Sequence, residues 1–214
     1  MEGLKRISRY LPFGILYMLS FWIVENRNVK YYIIHTELDE ILPFCEYFVI
    51  PYLLWFAFVA VTVMYFAFFV KNRKEYDQLM WSFCIGMTLF VVISFLFPNG
   101  QKLRPRLAGE DGFFIDLVRM VYSKDTPTNI FPSIHVYNSV VCCTAILKNE
   151  QCRANRWITI SALVLTVLII AATVFIKQHS IIDLVGALLL NALVGGVVYG
   201  THPIYPVRSR RVIS

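Results

Sequence analysis

The stretch Lys177–Asp183, KQHSIID in one-letter form, contains two residue types that together can make a nucleophile. His179 and Asp183 are four residues apart, so on a helix they lie on one face and the carboxylate can hold the imidazole. A neutral imidazole held in this way can attack phosphorus and form a phosphohistidine. A structural histidine–aspartate pair that joins two helices is the alternative interpretation.

A second stretch, Phe131–His135 (FPSIH), opens an apolar segment. Because proline is favoured early in a helix, a helix that begins near Pro132 would leave three amides unpaired at its positive end. These amides belong to Ser133, Ile134 and His135. An anion fits there, the Ser133 hydroxyl can add a donor, and His135 can act as a general acid toward a leaving alkoxide. The alternative is an ordinary helix cap with a histidine that hydrogen-bonds within the bundle.

A third stretch, Gln101–Arg106 (QKLRPR), places cations in a loop. Arg104 precedes Pro105, which stiffens the backbone, and its planar guanidinium can bond two phosphoryl oxygens at once. Lys102, two residues earlier, points the same way if the loop is extended. Both are candidate phosphate ligands; the alternative is that they meet lipid head groups at a membrane surface.

The composition indicates what kind of protein must position these residues. Hydrophobic residues make up 57% of the 214 and charged residues 16%, and the mean hydropathy is positive, unlike that of ordinary soluble domains. The net charge of +6 does not indicate nucleic-acid binding, because Lys and Arg cluster in short loops and no basic face interleaves with aromatics. Five cysteines without paired spacing predict neither a disulfide framework nor a zinc site. Residues 1–214 are therefore predicted to form a single all-α membrane domain.

Six apolar segments approach the roughly 20 residues that a helix needs to cross the hydrocarbon core. They are Tyr10–Val24, Phe48–Val70, Gln78–Phe97, Ser133–Leu147, Ile158–Ile176 and Ile181–Tyr199. The fourth is the least apolar, with His135, Asn138 and Ser139, which indicates that this face points into the bundle rather than at lipid. The predicted architecture is a six-transmembrane-helix bundle.

The charged residues orient these spans. If the N-terminus is cytoplasmic, every segment on that side is basic, as the positive-inside rule expects. These segments contain Lys5, Arg6 and Arg9, then Lys71, Arg73 and Lys74, then Lys148, Arg153 and Arg156, and finally Arg208, Arg210 and Arg211. Both termini are then cytoplasmic, and all three polar stretches meet at the outer face. We therefore expect a multi-pass protein of the cell membrane with its site on the extracytoplasmic side.

Three motifs occur in a particular order: Arg-Pro at Arg104, Pro-Ser-x-His ending at His135, and His-x-x-x-Asp ending at Asp183. In this order they resemble the signature motifs of the type 2 phosphatidic acid phosphatase superfamily. That superfamily includes membrane lipid phosphatases, undecaprenyl pyrophosphate phosphatases, lipid phosphotransferases such as sphingomyelin and inositol phosphorylceramide synthases, and the soluble vanadium haloperoxidases. The resemblance covers roughly the last five predicted spans, and its specific content lies between residues 102 and 183.

The resemblance implies a role for each motif residue. It makes His179 the nucleophile, Asp183 its orienting carboxylate and His135 the general acid. Arg104 and Ser133 would hold the phosphate. The family mechanism requires no metal and no other cofactor. A metal site made by the two histidines and the aspartate is an alternative, since such ligands bind iron or zinc, but the serine and arginine would then be unexplained.

Two positions depart from the family's pattern. The first motif of the family has a Lys where this chain has Phe97, and the third has an Arg where this chain has Thr173. We expect Lys102 and Lys177, each two residues before a motif residue, to replace these cations as phosphate ligands. In lacking this Arg, the third motif also resembles that of the phosphotransferase branch, which keeps the His-x-x-x-Asp pair without the Arg.

These expectations favour a membrane hydrolase that dephosphorylates a lipid phosphate, phosphatidic acid-like or a prenyl pyrophosphate, through a phosphohistidine released by water. One alternative keeps the same site and hands the phosphoryl head group to a lipid alcohol. Another is a noncatalytic lipid-binding membrane protein whose altered motifs mark lost activity. The predicted partners are a lipid phosphate and the bilayer, not nucleic acid, and the sequence makes no prediction of oligomeric state.

Overall fold

The computed structural model describes residues 2–200, and within that range the protein is almost entirely helical. In chain order the helices are α1 (Glu2–Glu25), α2 (Glu37–Ile41), a 3₁₀ turn (Glu46–Phe48), α3 (Val49–Phe68), α4 (Arg73–Leu96), α5 (Phe113–Lys124), α6 (Ile134–Lys148), α7 (Glu150–Ala154), α8 (Arg156–Phe175) and α9 (Ile181–Tyr199). Two-residue strands β1 (Tyr32–Ile33) and β2 (Asn99–Gly100) pair in parallel. The all-α class is confirmed. Arg208, Arg210 and Arg211, which helped to orient the chain, lie outside the described residues.

Within residues 2–200, five helices are long and apolar enough to cross a membrane. They are α1, α3 with its preceding 3₁₀ turn, α4, α8 and α9. Large apolar side chains such as Leu16, Val61 and Leu193 are more than half exposed on these helices. Such surfaces suit contact with lipid, so the helices have the character expected of a multi-pass membrane protein.

The first helix begins earlier than the sequence pattern predicts. Arg6, assigned above to a cytoplasmic loop, is a buried residue of α1 that donates to the carbonyl of Val70 at 2.6 Å and to the Glu2 carboxylate at 2.9 Å. Because these acceptors satisfy the guanidinium, the helix extends to Glu2 instead of starting at Tyr10.

The predicted fourth span is present as a helix, α6, but it is too short to count as a full span. Helix α6 has 15 residues, about 22 Å at 1.5 Å per residue, which is short of a core about 30 Å thick. It packs against α3, α4, α8 and α9, and Asn138 and Ser139 on it are buried. A helix surrounded by protein needs neither the length nor the composition of a lipid-facing span. The inward orientation of its polar residues is confirmed, whereas six full spans and cytoplasmic termini are not.

The segment between α4 and α6 crosses the end of the bundle where α6 and α9 begin. Within this segment, Phe113–Lys124 form the short amphipathic helix α5. Val118 and Val121 of α5 pack against Val49 and Tyr52 at the start of α3. This apolar contact places the polar C-terminal end of α5 beside the turn between α8 and α9.

The contact between α4 and α6 depends on Gly86. A Cβ atom at this position would lie 2.0 Å from Cζ of Tyr137. The Tyr137 side chain is almost fully buried and donates its hydroxyl to the Ser82 carbonyl of α4 at 2.7 Å. The ring therefore has little freedom to move away from an added side chain.

We predict that Gly86→Ala destabilises the protein by about 1–3 kcal/mol, the usual cost of overpacking a close-packed contact. Thermal unfolding of the purified protein in detergent measures the effect as a lower midpoint. Gly195→Ala in α9 is the matched control, because a Cβ there meets nothing within 4 Å. Equal midpoints for the two variants would contradict this packing of α4 on α6.

Candidate active site

The turn between α8 and α9 holds the histidine–aspartate pair. Ser180 is the N-cap of α9, and Asp183 completes a capping box by accepting the Ser180 amide on Oδ2 at 2.8 Å. The same Oδ2 lies 3.3 Å from Nδ1 of His179. Both residues belong to this turn and the first turn of α9, so the pair does not join two helices. With Nδ1 facing the carboxylate, Nε2 is the ring nitrogen left for another partner.

The backbone of this turn is held by several buried contacts. The amides of Gln178 and His179 both donate to the Thr173 carbonyl at 3.0 Å, and Lys177 adopts a left-handed conformation with φ +56°. Lysine rarely occupies that region, so the neighbouring contacts must hold it there. One is a hydrogen bond of 2.9 Å from Gln101 Nε2 to the Lys177 carbonyl.

The second histidine, His135, lies in the first turn of α6. Its ring centroid is 4.4 Å from the Tyr52 ring and 4.4 Å from the Trp55 ring, both on α3. The His135 and His179 centroids are 5.8 Å apart with the rings at 61°. His135 is 5% exposed, and its Nδ1 has no hydrogen-bond partner among the described residues. Two imidazoles that are 44 residues apart in the chain therefore meet at one end of the bundle.

Both histidines line a small cavity with a volume of about 30 Å³. Residues from α1, α4, α6, the segment after α5 and the α8–α9 turn form its wall. The polar ones include Glu25, Asp125, Asn129 and Gln178. Neither Arg104 nor Ser133 lines this cavity directly, and neither do Lys102 and Lys177.

Helix α6 begins two residues after Pro132, near which its start is predicted. Ser133 is the N-cap and the helix begins at Ile134, so Pro132 precedes the cap instead of occupying the first turn. The Ser133 amide is not free, because it donates to the carbonyl of Asp183 at 3.2 Å. Its hydroxyl accepts the amide of Val136 at 3.5 Å. Ser133 thus ties the start of α6 to the first turn of α9 and leaves two early amides, those of Ile134 and His135, without intrahelical acceptors.

Arg104 lies directly behind the cavity wall. Its guanidinium donates to the Tyr122 carbonyl at 3.1 Å, to the Asp125 carbonyl and to Oε1 of Gln178, and it lies over the Tyr122 ring with Cζ 4.5 Å from the centroid. Burial lowers the pKa of Arg104 and the Asp125 carboxylate opposes that shift; an arginine stays charged in proteins regardless. Arg104 therefore connects the end of α5 to the residue next to His179.

Neither of the two lysines expected to replace the missing cations lines the cavity that contains the histidines. Lys177 is buried and donates Nζ to the carbonyls of Asp39 and Leu42, at 2.6 and 2.5 Å. Burial lowers its pKa and Asp39 opposes the shift. Lys102 is exposed at the surface. The ammonium of Lys177 is thus bound by backbone carbonyls of the first loop, the segment between α1 and α3 that contains α2.

Sequence reasoning missed Asp39, which lies in the acidic first loop. Its buried carboxylate accepts the Thr36 amide at 2.8 Å, the Ser180 hydroxyl at 2.7 Å and the Ile181 amide at 2.9 Å. Burial acts to raise the pKa of Asp39, but these hydrogen bonds outweigh it and the net shift of the pKa is downward. The Thr-x-x-Asp spacing signals the capping box of α2. Nothing in the sequence signals the contact with residues about 140 positions away.

A family model described as the PAP2 superfamily matches residues 42–197. The match includes all seven residues singled out above: Lys102, Arg104, Ser133, His135, Lys177, His179 and Asp183. No curated protein and no solved structure matches the chain. In the part of the chain that the structure describes, no group of three or more His, Cys, Asp or Glu side chains is arranged to hold a metal ion.

We predict that Asp39→Asn loosens the turn that carries His179. An amide has one acceptor atom where the carboxylate has two, and hydrogen bonds to charged groups contribute about 1.5–3 kcal/mol, so amide exchange across residues 177–183 should rise about tenfold or more. Hydrogen–deuterium exchange with mass spectrometry measures this change.

Glu40→Gln is the control for that experiment, because Glu40 is the next residue and its side chain is 73% exposed. It should leave the exchange of residues 177–183 unchanged. The same exchange in both variants would show that Asp39 does not hold this turn.

Proposed function

Because the chain belongs to the PAP2 superfamily, we propose that it is an integral membrane enzyme that cleaves a phosphate bond of a lipid through a phosphohistidine on His179. Membership in this superfamily indicates phosphatase- or phosphotransferase-type activity on a lipid phosphate. The observation that carries the finer proposal is the shared cavity, in which the imidazole paired with Asp183 stands 5.8 Å from that of His135.

In the first step Nε2 of His179 attacks phosphorus. A phosphorus–nitrogen bond forms, the phosphorus–oxygen bond to the leaving group breaks, and His135 gives its proton to the departing oxygen. Asp183 keeps the His179 ring in place and stabilises the positive charge that develops on it. In the second step water attacks phosphorus and passes a proton to His135, the phosphorus–nitrogen bond to His179 breaks, and phosphate leaves, so both histidines return to their starting states.

The phosphate oxygens need donors during this reaction. The amides of Ile134 and His135 are at the positive end of α6, where an anion is favoured. The Gln178 amide nitrogen is buried without a partner among the described residues, and Gln178 lines the cavity. Arg104 supplies positive charge through its contact with Gln178, and Ser133 orients the helix start. We assign no phosphate contact to Lys102 or Lys177.

Transfer to a lipid alcohol is the second candidate and differs only in the acceptor. Phe21 of α1 and Phe90 of α4 line the cavity, so it opens among helices whose outer surfaces suit lipid. A lipid hydroxyl that reaches the phosphohistidine from this side would replace water as the acceptor. We place the cavity on the extracytoplasmic face of the cell membrane, since the basic segments around Lys5, Lys71 and Arg153 lie toward the opposite ends of the helices.

We predict that His179→Ala reduces turnover to background, because no other group at this position can form the covalent intermediate. His135→Ala should lower turnover by about 10²–10⁴-fold, the usual contribution of a general acid. The assay offers labelled phosphatidic acid, a prenyl pyrophosphate and a phospholipid to the purified protein. Released phosphate indicates hydrolysis, whereas a new labelled lipid indicates transfer.

His35→Ala is the matched control, since His35 is partly exposed and its ring is paired only with Glu40 in the described contacts, at 3.1 Å. It should keep full activity. An active His179→Ala variant would rule out the phosphohistidine, and no turnover of any of the three lipids by the wild-type protein would favour the noncatalytic alternative.

A further inference from the structure

We propose that the cavity binds a positively charged ammonium group beside the reacting phosphate, so that the substrate is a zwitterionic phosphodiester lipid with an amine head group. The inference rests on the proposed function and names the class of substrate for the same site. It follows from three acceptors, Glu25, Asp125 and Asn129, that line the cavity together with the two histidines.

The wall of the cavity carries negative charge. The acidic side chains that line the cavity are those of Glu25 and Asp125, and no Lys or Arg of the described residues lines it. The nearest guanidinium, Arg104, lies behind the wall and already donates to two carbonyls and to Gln178. Two carboxylates repel the dianion of a phosphomonoester, whereas a phosphodiester with an ammonium group brings a compensating positive charge.

Glu25, Asp125 and Asn129 can each accept further hydrogen bonds. Glu25 accepts the Asn129 amide at 2.6 Å on one oxygen and the Thr126 hydroxyl on the other. Asp125 accepts the Tyr52 hydroxyl on Oδ2. Each carboxylate oxygen can accept two hydrogen bonds, so both groups can accept more. Asn129 is 4% exposed, and its Oδ1 has no partner among the described residues. An ammonium group has three donors, which equals the number of acceptor groups here.

Asn129 is held in its position by neighbouring residues. It has a left-handed backbone with φ +51°, a conformation that asparagine tolerates better than most residues. Its backbone N–H donates to the carbonyl of Asn99 at 2.6 Å, and the Asn99 side chain accepts the backbone N–H of Phe131 at 2.9 Å. Asn99 is fully buried. This backbone therefore holds a buried, unpartnered acceptor at the edge of a cavity that also contains the nucleophile.

The acceptors also distinguish between kinds of ammonium. A primary ammonium can donate to all three groups, whereas a quaternary ammonium has no N–H and leaves the Asn129 oxygen unpaired. The Phe21 and Phe90 rings, with centroids 6.1 Å apart, line the same cavity and suit the methylene groups between amine and phosphate. We therefore expect an ethanolamine-type head group to be preferred over a choline-type one.

The reaction with such a lipid balances in the same way as above. Nε2 of His179 bonds to phosphorus, the bond from phosphorus to the diacylglycerol oxygen breaks, and His135 protonates that oxygen. The aminoalkyl phosphate stays on His179 as a diester-like intermediate. Water then releases it as an aminoalkyl phosphate, or a lipid alcohol accepts it as a new phosphodiester lipid.

The test uses the full-length protein in vesicles that contain equal mole fractions of phosphatidylethanolamine, phosphatidylcholine or phosphatidic acid. Diacylglycerol formation is measured for each lipid. We expect the ethanolamine lipid to react at least about tenfold faster than either of the others, because a buried acceptor left unpaired disfavours a substrate without the matching donor. O-phosphoethanolamine should inhibit more strongly than inorganic phosphate at equal concentration.

Glu25→Gln and Asp125→Asn should each lower the ratio of ethanolamine-lipid to phosphatidic-acid turnover by about tenfold, since each removes one charge that pairs with the amine. Asp111→Asn, at an exposed loop carboxylate, is the control and should keep the wild-type ratio. The inhibition experiment needs no variant, so it decides the question even if a variant fails to fold.

The outcomes separate the two proposals. Turnover of phosphatidic acid that equals or exceeds that of the ethanolamine lipid overturns the ammonium site and leaves the proposed function standing. Faster turnover of the choline lipid, or inhibition by inorganic phosphate as strong as that by O-phosphoethanolamine, also overturns it. Turnover of none of the three lipids overturns this inference; turnover of the prenyl pyrophosphate in the assay above would then leave the phosphohistidine chemistry standing, and its absence would overturn that as well.

Discussion

The site depends on the buried carboxylate of Asp39, which accepts three hydrogen bonds, from the Thr36 amide, the Ser180 hydroxyl and the Ile181 amide. The α8–α9 turn places His179 against the cavity at the end of an apolar bundle while its own amides and hydroxyl are buried, and buried donors without acceptors are costly. Asp39 accepts from Ser180 and Ile181, while the Lys177 ammonium donates back to carbonyls of the first loop. A short loop near the start of the chain thereby fixes a turn near its end. His179, the proposed nucleophile, is positioned by these hydrogen bonds as much as by its own pairing with Asp183.

Helix α6 explains why the two histidines meet. Its residues are enclosed by four other helices, so its first turn, with His135, is held at the level where α9 begins. The hydrogen bond from the Ser133 amide to the Asp183 carbonyl sets the two helix starts side by side. Tyr52 and Trp55 of α3 then fix the tilt of the His135 ring from the other side. A span that faced lipid would not have all four of these neighbours.

Local periodicity predicted the parts of this protein that local forces determine. The four-residue spacing of His179 and Asp183, the amphipathic helix α5 and the apolar stretches of α3, α4, α8 and α9 are all visible in the sequence, and the structure contains each of them. The partners of Lys177 and Arg104 could not be predicted in this way. A cation near a phosphatase-like motif has the same appearance whether it faces a phosphate or a backbone carbonyl, and only tertiary structure shows that the carbonyls of Asp39, Leu42, Tyr122 and Asp125 lie nearer. The bounds of α6 were predicted to within one residue, but its assignment as a sixth full span is not confirmed, because burial by protein replaces the hydrophobic length that lipid would require.

The positions where the family pattern has cations give this chain a different electrostatic balance. Phe97 packs on Tyr32, and Thr173 contributes its carbonyl to the backbone of the turn, so neither adds positive charge. Lys177 lies within the contact with the first loop, and Glu25 and Asp125 add two negative charges to the cavity wall. In the proposed mechanism the phosphate is then held mainly by neutral donors, the helix start of α6 and Gln178, with Arg104 behind them. We therefore expect such a site to favour a phosphate that carries one negative charge and its own cation over a bare phosphate dianion.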